Sequence, residues 1–152
     1  MIMRNKSKTK FTFSPEFQLE ILRYIIKDKE GGLILKRIKP NYLVLIEHSI
    51  ICEGIIKYYK KQNRIPSENV LKEVIKELLE GKQYADLVTK DDIPNIDKVI
   101  SNLYHLPLSD ADYIKEKIYQ FSTYVEMKNL NDSFDLDNFC LLYTSDAADD
   151  KA

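Results

Sequence analysis

One unbroken stretch, Leu43 to Ser67 (LVLIEHSIICEGIIKYYKKQNRIPS), follows Pro40-Asn41-Tyr42 and is long and apolar enough to dictate how the rest of the chain must pack. Leu43, Ile46, Ile50, Ile51, Gly54, Ile55, Tyr58 and Tyr59 recur at steps of three and four, the spacing that lines one side of an α-helix. The expectation is a single long helix that turns basic at Lys57-Tyr58-Tyr59-Lys60-Lys61 and ends at Ile65-Pro66-Ser67. Glycine in a helix interior costs about 1 kcal/mol against alanine. A small residue at position 54 therefore predicts a second helix crossing close by.

The flanking segments supply the partners. Ser14-Pro15-Glu16 reads as a helix start, because serine caps free N–H groups, proline fits the first helical position and glutamate complements the dipole. Phe17, Ile21 and Ile25 follow at four-residue steps with Leu22 and Ile26 beside them. Gly31-Gly32 then ends that helix or loosens the chain after it. Leu33 to Ile38 gives one or two helical turns, and Pro40 biases Lys39 away from helix. Past the long element, Ser67 is placed to cap a helix over Glu68 to Glu80. Its apolar stripe is Val70, Leu71, Val74, Ile75, Leu78 and Leu79, and Gly81 suits its end. Residues 82–94 read as a polar connection in which Tyr84 and Leu87 can pack. Ile96, Val99, Ile100, Leu103 and Tyr104 mark a helix from Pro94 or Asn95 to Leu106. Ser109 with Asp112 resembles a capping box ahead of Ile114, Ile118, Phe121 and Val125, whose helix should fade near Asn129 to Asp132. No segment alternates with period two for long. The fold class expected is all-α, a compact bundle of five or six helices.

A chain of 152 residues makes about one domain and buries roughly two thirds of its unfolded surface. A net charge of −1 excludes a nucleic-acid binder that is basic all over, though not one with a local patch. Arg4, Lys6, Lys8 and Lys10 give residues 1–13 the character of a flexible basic tail, with a small electrostatic contact to nucleic acid as the functional alternative. The N-terminus, MIMRNKSKTK, is too polar for a signal sequence, and no apolar run approaches the roughly 18 residues of a membrane span. Cys52 and Cys140 match no metal spacing and fit a reducing compartment. The expected location is cytoplasmic, with no membrane partner.

The helical domain is bounded at 14–131, leaving 132–152 as a disordered tail. Within that tail Cys140 to Asp150, CLLYTSDAADD, contains no lysine and has no helical stripe. It resembles the conceptual translation of a transposon-end adaptor used in sequencing libraries. Residues 140–152 are accordingly expected to be foreign to the natural protein, with Cys140 of no functional weight and the natural chain continuing beyond Phe139.

Catalytic signatures do not emerge. No glycine-rich loop ends in Gly-Lys-Ser or Gly-Lys-Thr. His48 and Cys52, at i and i+4, offer two donors where closed zinc sites use four, so packing or surface roles are expected for His48 and His105. Asp91-Asp92 and Asp110 with Asp112 fall at helix starts, where carboxylates serve the dipole. No catalytic, cofactor-binding or metal-ligating residue is assigned. The one suggestive surface is KYYKKQNR, in which Lys57, Tyr58, Tyr59, Lys60, Lys61 and Arg64 interleave rings with cations. Such a strip can stack and neutralise single-stranded nucleic acid. Alternatively its tyrosines partly pack while its cations complement the C-terminal end of the long helix. Contact with a neighbouring subunit is a third reading.

Residues 16 to about 130 resemble the N-terminal helical domain of DnaB-like replicative DNA helicases, particularly the phage-encoded ones. Phe17-Gln18-Leu19-Glu20-Ile21-Leu22 is similar to the opening helix of that family. Leu35-Lys36-Arg37-Ile38-Lys39-Pro40-Asn41-Tyr42 resembles its short helix with a Lys-Pro-x-x-aromatic step. Glu47-His48-Ser49-Ile50-Ile51 through Tyr58-Tyr59 resembles the long helix. Asn63-Arg64-Ile65-Pro66-Ser67 with Val70-Leu71, and Leu103-Tyr104 with Asp110-Ala111-Asp112-Tyr113-Ile114, are similar to the later junctions. The resemblance implies a non-catalytic interaction and oligomerisation module acting in DNA replication. Its parent would be a hexameric, ATP- and magnesium-dependent helicase in the host cytoplasm. A primase or helicase loader would be its partner, and single-stranded DNA would be bound through the parent. The Walker motifs, linker helix and ATPase half of that family are not among these residues, so neither ATP hydrolysis nor unwinding is expected of them. The alternative is a stand-alone small helical nucleic-acid-binding protein using the basic Tyr/Lys segment.

Overall fold

Ser14 does what its position requires. Its Oγ accepts the Phe17 N–H at 3.1 Å, and α1 runs over Pro15–Lys27 with Glu16 in its first turn and Lys27 in its last. The computed structural model describes residues 13–84 and 86–133. Phe13, assigned by the sequence to the basic tail, stacks its ring 5.0 Å from Phe17 and 4.4 Å from Phe121, so packing begins one residue earlier than expected. Residues 1–12 of that tail, and the adaptor-like 140–152 with Cys140, lie outside the described residues.

Gly31 and Gly32 open a helix instead of ending one. α1 stops at Lys27, and α2 covers Gly31–Leu35. A β-carbon on Gly31 would overlap the carbonyl oxygen of Ile25, and one on Gly32 would fall 2.5 Å from the hydroxyl oxygen of Tyr59. Glycine is required at 31, where the obstacle is backbone, whereas at 32 it is the movable end of the Tyr59 side chain. A single 3-10 turn at Pro40–Tyr42 leads on from α2.

The long element is shorter than its apolar pattern. α3 covers Ile46–Gln62, since Leu43 and Leu45 are extended. Leu43 is apolar because it plugs the core at 1% exposure, not because it is helical. Ser49 Oγ, 2.7 Å from the Pro40 carbonyl and 3.0 Å from that of Leu43, ties the helix to the preceding turn. At the far end Asn63 adopts the left-handed conformation (φ 58°), and its N–H donates to the Tyr59 carbonyl at 2.8 Å. That geometry stops the helix before Pro66.

α4 (Glu68–Leu79) crosses α3 at Gly54, where an added β-carbon would lie 2.6 Å from Ile75 Cδ1 and 3.3 Å from Leu71 Cδ1. The close crossing expected from that glycine is present. Ser67 occupies the N-cap with extended backbone, yet its side chain makes no capping bond. Leu71 and Ile75 carry the buried stripe, while Val70 is 37% exposed. In the connection Tyr84 packs and Leu87 does not, at 57% exposure. A capping box forms there at Thr89 and Asp92, ahead of α5 (Ile93–His105). α6 spans Ala111–Ser133. Asp110, at φ 55°, precedes it, one position later than the Ser109 cap read from the sequence.

The chain is thus an all-α bundle of six helices, with no strand among the described residues. α1 packs against α2, α3, α5 and α6, and α3 against α1, α4 and α5. The organising role expected of α3 alone is shared with α1. Isoleucines from five of the helices (Ile21, Ile25, Ile50, Ile51, Ile55, Ile75, Ile96, Ile100, Ile114, Ile118) dominate the common core. None of the helices among the described residues is long and apolar enough to cross a membrane.

Candidate interaction surface

The KYYKKQNR strip occupies the last turns of α3 and its exit, and the helix divides it. Successive residues project about 100° apart. Tyr59 and Lys60 line a groove toward α2, whereas Tyr58 is absent from that lining and lies beneath Arg64, whose guanidinium carbon is 5.9 Å from its ring centre. Both tyrosines are half-buried, and Lys57, Lys60, Lys61 and Arg64 are exposed. Lys60 and Lys61 lie in the last helical turn, where cations complement the dipole. The six residues therefore do not form one face.

The groove is built from two segments distant in sequence. Leu35, Ile38 and Pro40 from α2 and its exit meet Ile56 of α3 to make an aliphatic floor. Lys36, Lys39 and Lys60 stand around it, Asn63 closes one end, and the cavity measures about 550 Å³. Lys36 and Lys39 are the residues that sequence reasoning missed. Their signal was a pair of lysines at i and i+3 flanking the apolar Ile38 between a short apolar helix and Pro40. Arg37, between them, is committed elsewhere. Its Nε donates to Ser122 Oγ at 3.0 Å, its terminal nitrogen donates to Thr123 Oγ1 at 3.2 Å, and its guanidinium lies 4.6 Å from the Tyr119 ring centre.

α6 carries a second surface. Ile114, Ile118, Phe121 and Ser122 are buried. From Thr123 to Leu130 every side chain is at least partly exposed. Tyr119, Gln120, Thr123, Tyr124 and Met127 form a shallow open depression along one side.

The polar clusters serve the fold. His48 is buried, and its Nδ1 lies 2.8 Å from Gln18 Oε1. Gln18 Nε2 donates to the Phe13 carbonyl, so Gln18 presents its oxygen and His48 donates through Nδ1–H. Burial lowers the imidazole pKa, against a weaker opposing pull from Glu47. Cys52 is enclosed, and burial pushes its thiol up to about 12, which leaves it inert. Glu68 accepts from Ser101 Oγ (2.8 Å) and Lys72 (3.2 Å), and pairs with His105 Nε2 (2.9 Å), joining α4 to α5. These contacts bring its carboxyl down to about 2. The order Ser–Glu–His leaves no histidine between serine and acid, so the cluster lacks the relay of a nucleophilic triad. Among the described residues no group of three or more potential ligands is placed to hold a metal.

No protein-family model matches this chain, and no curated protein or solved structure matches it significantly.

Proposed function

We propose that the chain is the N-terminal protein-interaction and oligomerisation domain of a DnaB-like replicative DNA helicase, acting in DNA replication. The observation that carries this reading is the overhang of α6. The helix has 23 residues, about 35 Å of length, while from Thr123 to Leu130 none of its side chains is buried. Met127 and Leu130 in that stretch are 61% and 48% exposed. A helix that outlasts its own core with apolar residues still on its surface is suited to covering by another chain. The order of elements supports the same reading: a short helix, a proline step, a long helix, a Pro-Ser junction and a final long helix follow one another where the resembling motifs lie. In this reading the domain hydrolyses nothing. ATP and magnesium act in a part of the parent outside these 152 residues, six copies form a ring, and a primase or helicase loader docks on its collar. The parent holds single-stranded DNA in the cytoplasm of the host cell.

The test is a read of genomic DNA through the codon for Phe139. An open frame leading to a linker helix and a Gly-x-x-x-x-Gly-Lys-Ser/Thr loop is expected. A native stop codon just after Phe139 would sink the assignment.

One observation favours a second reading, a stand-alone nucleic-acid-binding protein. Lys57, Lys60, Lys61 and Arg64 enter no ion pair among the described residues, and all four are exposed, so that even with Arg64 over the Tyr58 ring they can meet phosphates. Binding to single strands through four phosphate contacts would give a log–log salt slope of about −3. Undetectable binding at low salt removes this reading.

A further inference from the structure

The groove between α2 and α3 selects in two ways. Its floor is aliphatic, with the partly exposed Pro40 and Ile56 backed by the buried Leu35 and Ile38 beside about 550 Å³ of open space, a volume in the range of real ligand sites. Its charged lining residues are all lysines, Lys36, Lys39 and Lys60, with no carboxylate among them. None of the three enters an ion pair among the described residues. An occupant must therefore bring apolar groups to the floor and negative charge to the rim.

We propose that this groove docks an acidic amphipathic helix of a partner protein, with its aliphatic side chains on Pro40 and Ile56 and its carboxylates on Lys36, Lys39 and Lys60. A helix with apolar residues at i, i+3, i+4 and i+7 and glutamates beside them matches both features at once. Single-stranded nucleic acid matches only the charge. Successive bases need successive rings, and Tyr59 is the one aromatic residue in the lining. Its hydroxyl end is seated against Gly32, while Tyr58 lies under Arg64 away from the groove. The proposal adds a heterologous partner surface to the interaction-module reading. It rests on α2 and α3 alone, so it can fail while the α6 surface stands.

The experiment is amide chemical-shift mapping on the full 152-residue chain with three probes. The first is a designed helical peptide of about 16 residues with leucines on one face and glutamates on the others. The second replaces its glutamates by lysines. The third is an oligothymidylate of about 12 nucleotides. Expected is binding of the glutamate peptide with shifts centred on Leu35 to Pro40 and Ile56 to Asn63, and none by the lysine peptide. A Lys36→Ser, Lys39→Ser, Lys60→Ser variant should weaken binding about tenfold. These lysines are exposed, so the variant keeps its fold, and its melting curve verifies that. Equal binding of both peptides, shifts confined to α6, or an unchanged affinity in the triple variant would overturn the proposal. So would the oligonucleotide occupying the groove in place of the peptide. Self-association in the same samples, followed by sedimentation, reports on α6 separately.

Discussion

Gly54 and Ile75 form the contact that sets the distance between α3 and α4, because a β-carbon on the glycine would come within 2.6 Å of Ile75 Cδ1. The atom in the way is the far end of a side chain, which can rotate. Alanine at 54 gains about 1 kcal/mol of helix propensity and loses a similar amount to repacking. At Gly31 the obstacle is the backbone oxygen of Ile25, which cannot yield without distorting α1. Urea denaturation should place Gly54→Ala within about 1 kcal/mol of wild type and Gly31→Ala about 3 kcal/mol below it. The reverse order would show that the α1–α2 turn is looser than its geometry.

His48 makes stability depend on mildly acidic pH. Its folded pKa lies below the ordinary 6.5, so the unfolded chain binds the proton first. Its contribution is complete above about pH 6.5 and is lost as pH falls toward the folded pKa. The urea midpoint of wild type should drop between pH 7 and pH 5. His48→Asn keeps a donor near Nδ1 but cannot titrate, so its midpoint should start lower and stay flatter. Parallel curves for the two proteins would remove His48 as the cause.

Glu68 acts in a lower window. Hydrogen bonds from Ser101, His105 and Lys72 depress its carboxyl from 4.5 to about 2. The stabilisation is therefore present above pH 4.5 and disappears as pH falls through 2. Glu68→Gln should flatten the acid limb of the stability curve below pH 4.5 while leaving the His48 window unchanged. An identical acid limb in the variant would mean that the α4–α5 link does not depend on this charge.

The α6 surface is read by mass. Sedimentation equilibrium should show concentration-dependent association of the wild-type chain. Met127→Glu with Leu130→Glu should abolish it while shifting stability by less than about 0.5 kcal/mol, because both positions are exposed. A wild-type chain that stays monomeric at every concentration would exclude α6 as a self-pairing surface.

Wherever cap, stripe and helix coincide, the sequence discloses the fold. Ser14-Pro15 and the α5 stripe are visible in it because each is a local rule with a local cause, and the close crossing at Gly54 because a glycine inside a helix is costly unless another element needs the space. The beginning of α3 was not, since Leu43 is buried for tertiary reasons while its backbone is extended, and hydrophobicity alone cannot separate the two. Gly31-Gly32 reads as punctuation in one dimension, but its cause is the approach of Ile25 and Tyr59 in three. The groove was half legible. Tyr59 and Lys60 stood out by composition, whereas Lys36 and Lys39 join them only when the chain folds back through Pro40. The apparent alternation of rings and cations dissolves because a helix places adjacent residues on different sides.

Arg37 has a consequence beyond the bonds it makes. By gripping Ser122, Thr123 and Tyr119 it fastens the α2 corner, and with it one wall of the groove, to the start of the overhanging part of α6. Two occupants, one in the groove and one on α6, are thereby held at a set separation. A bivalent partner whose two segments span that separation gains avidity through effective concentration, without either contact becoming stronger. Cutting the Arg37 tether would leave each single affinity as it is and lower the joint one.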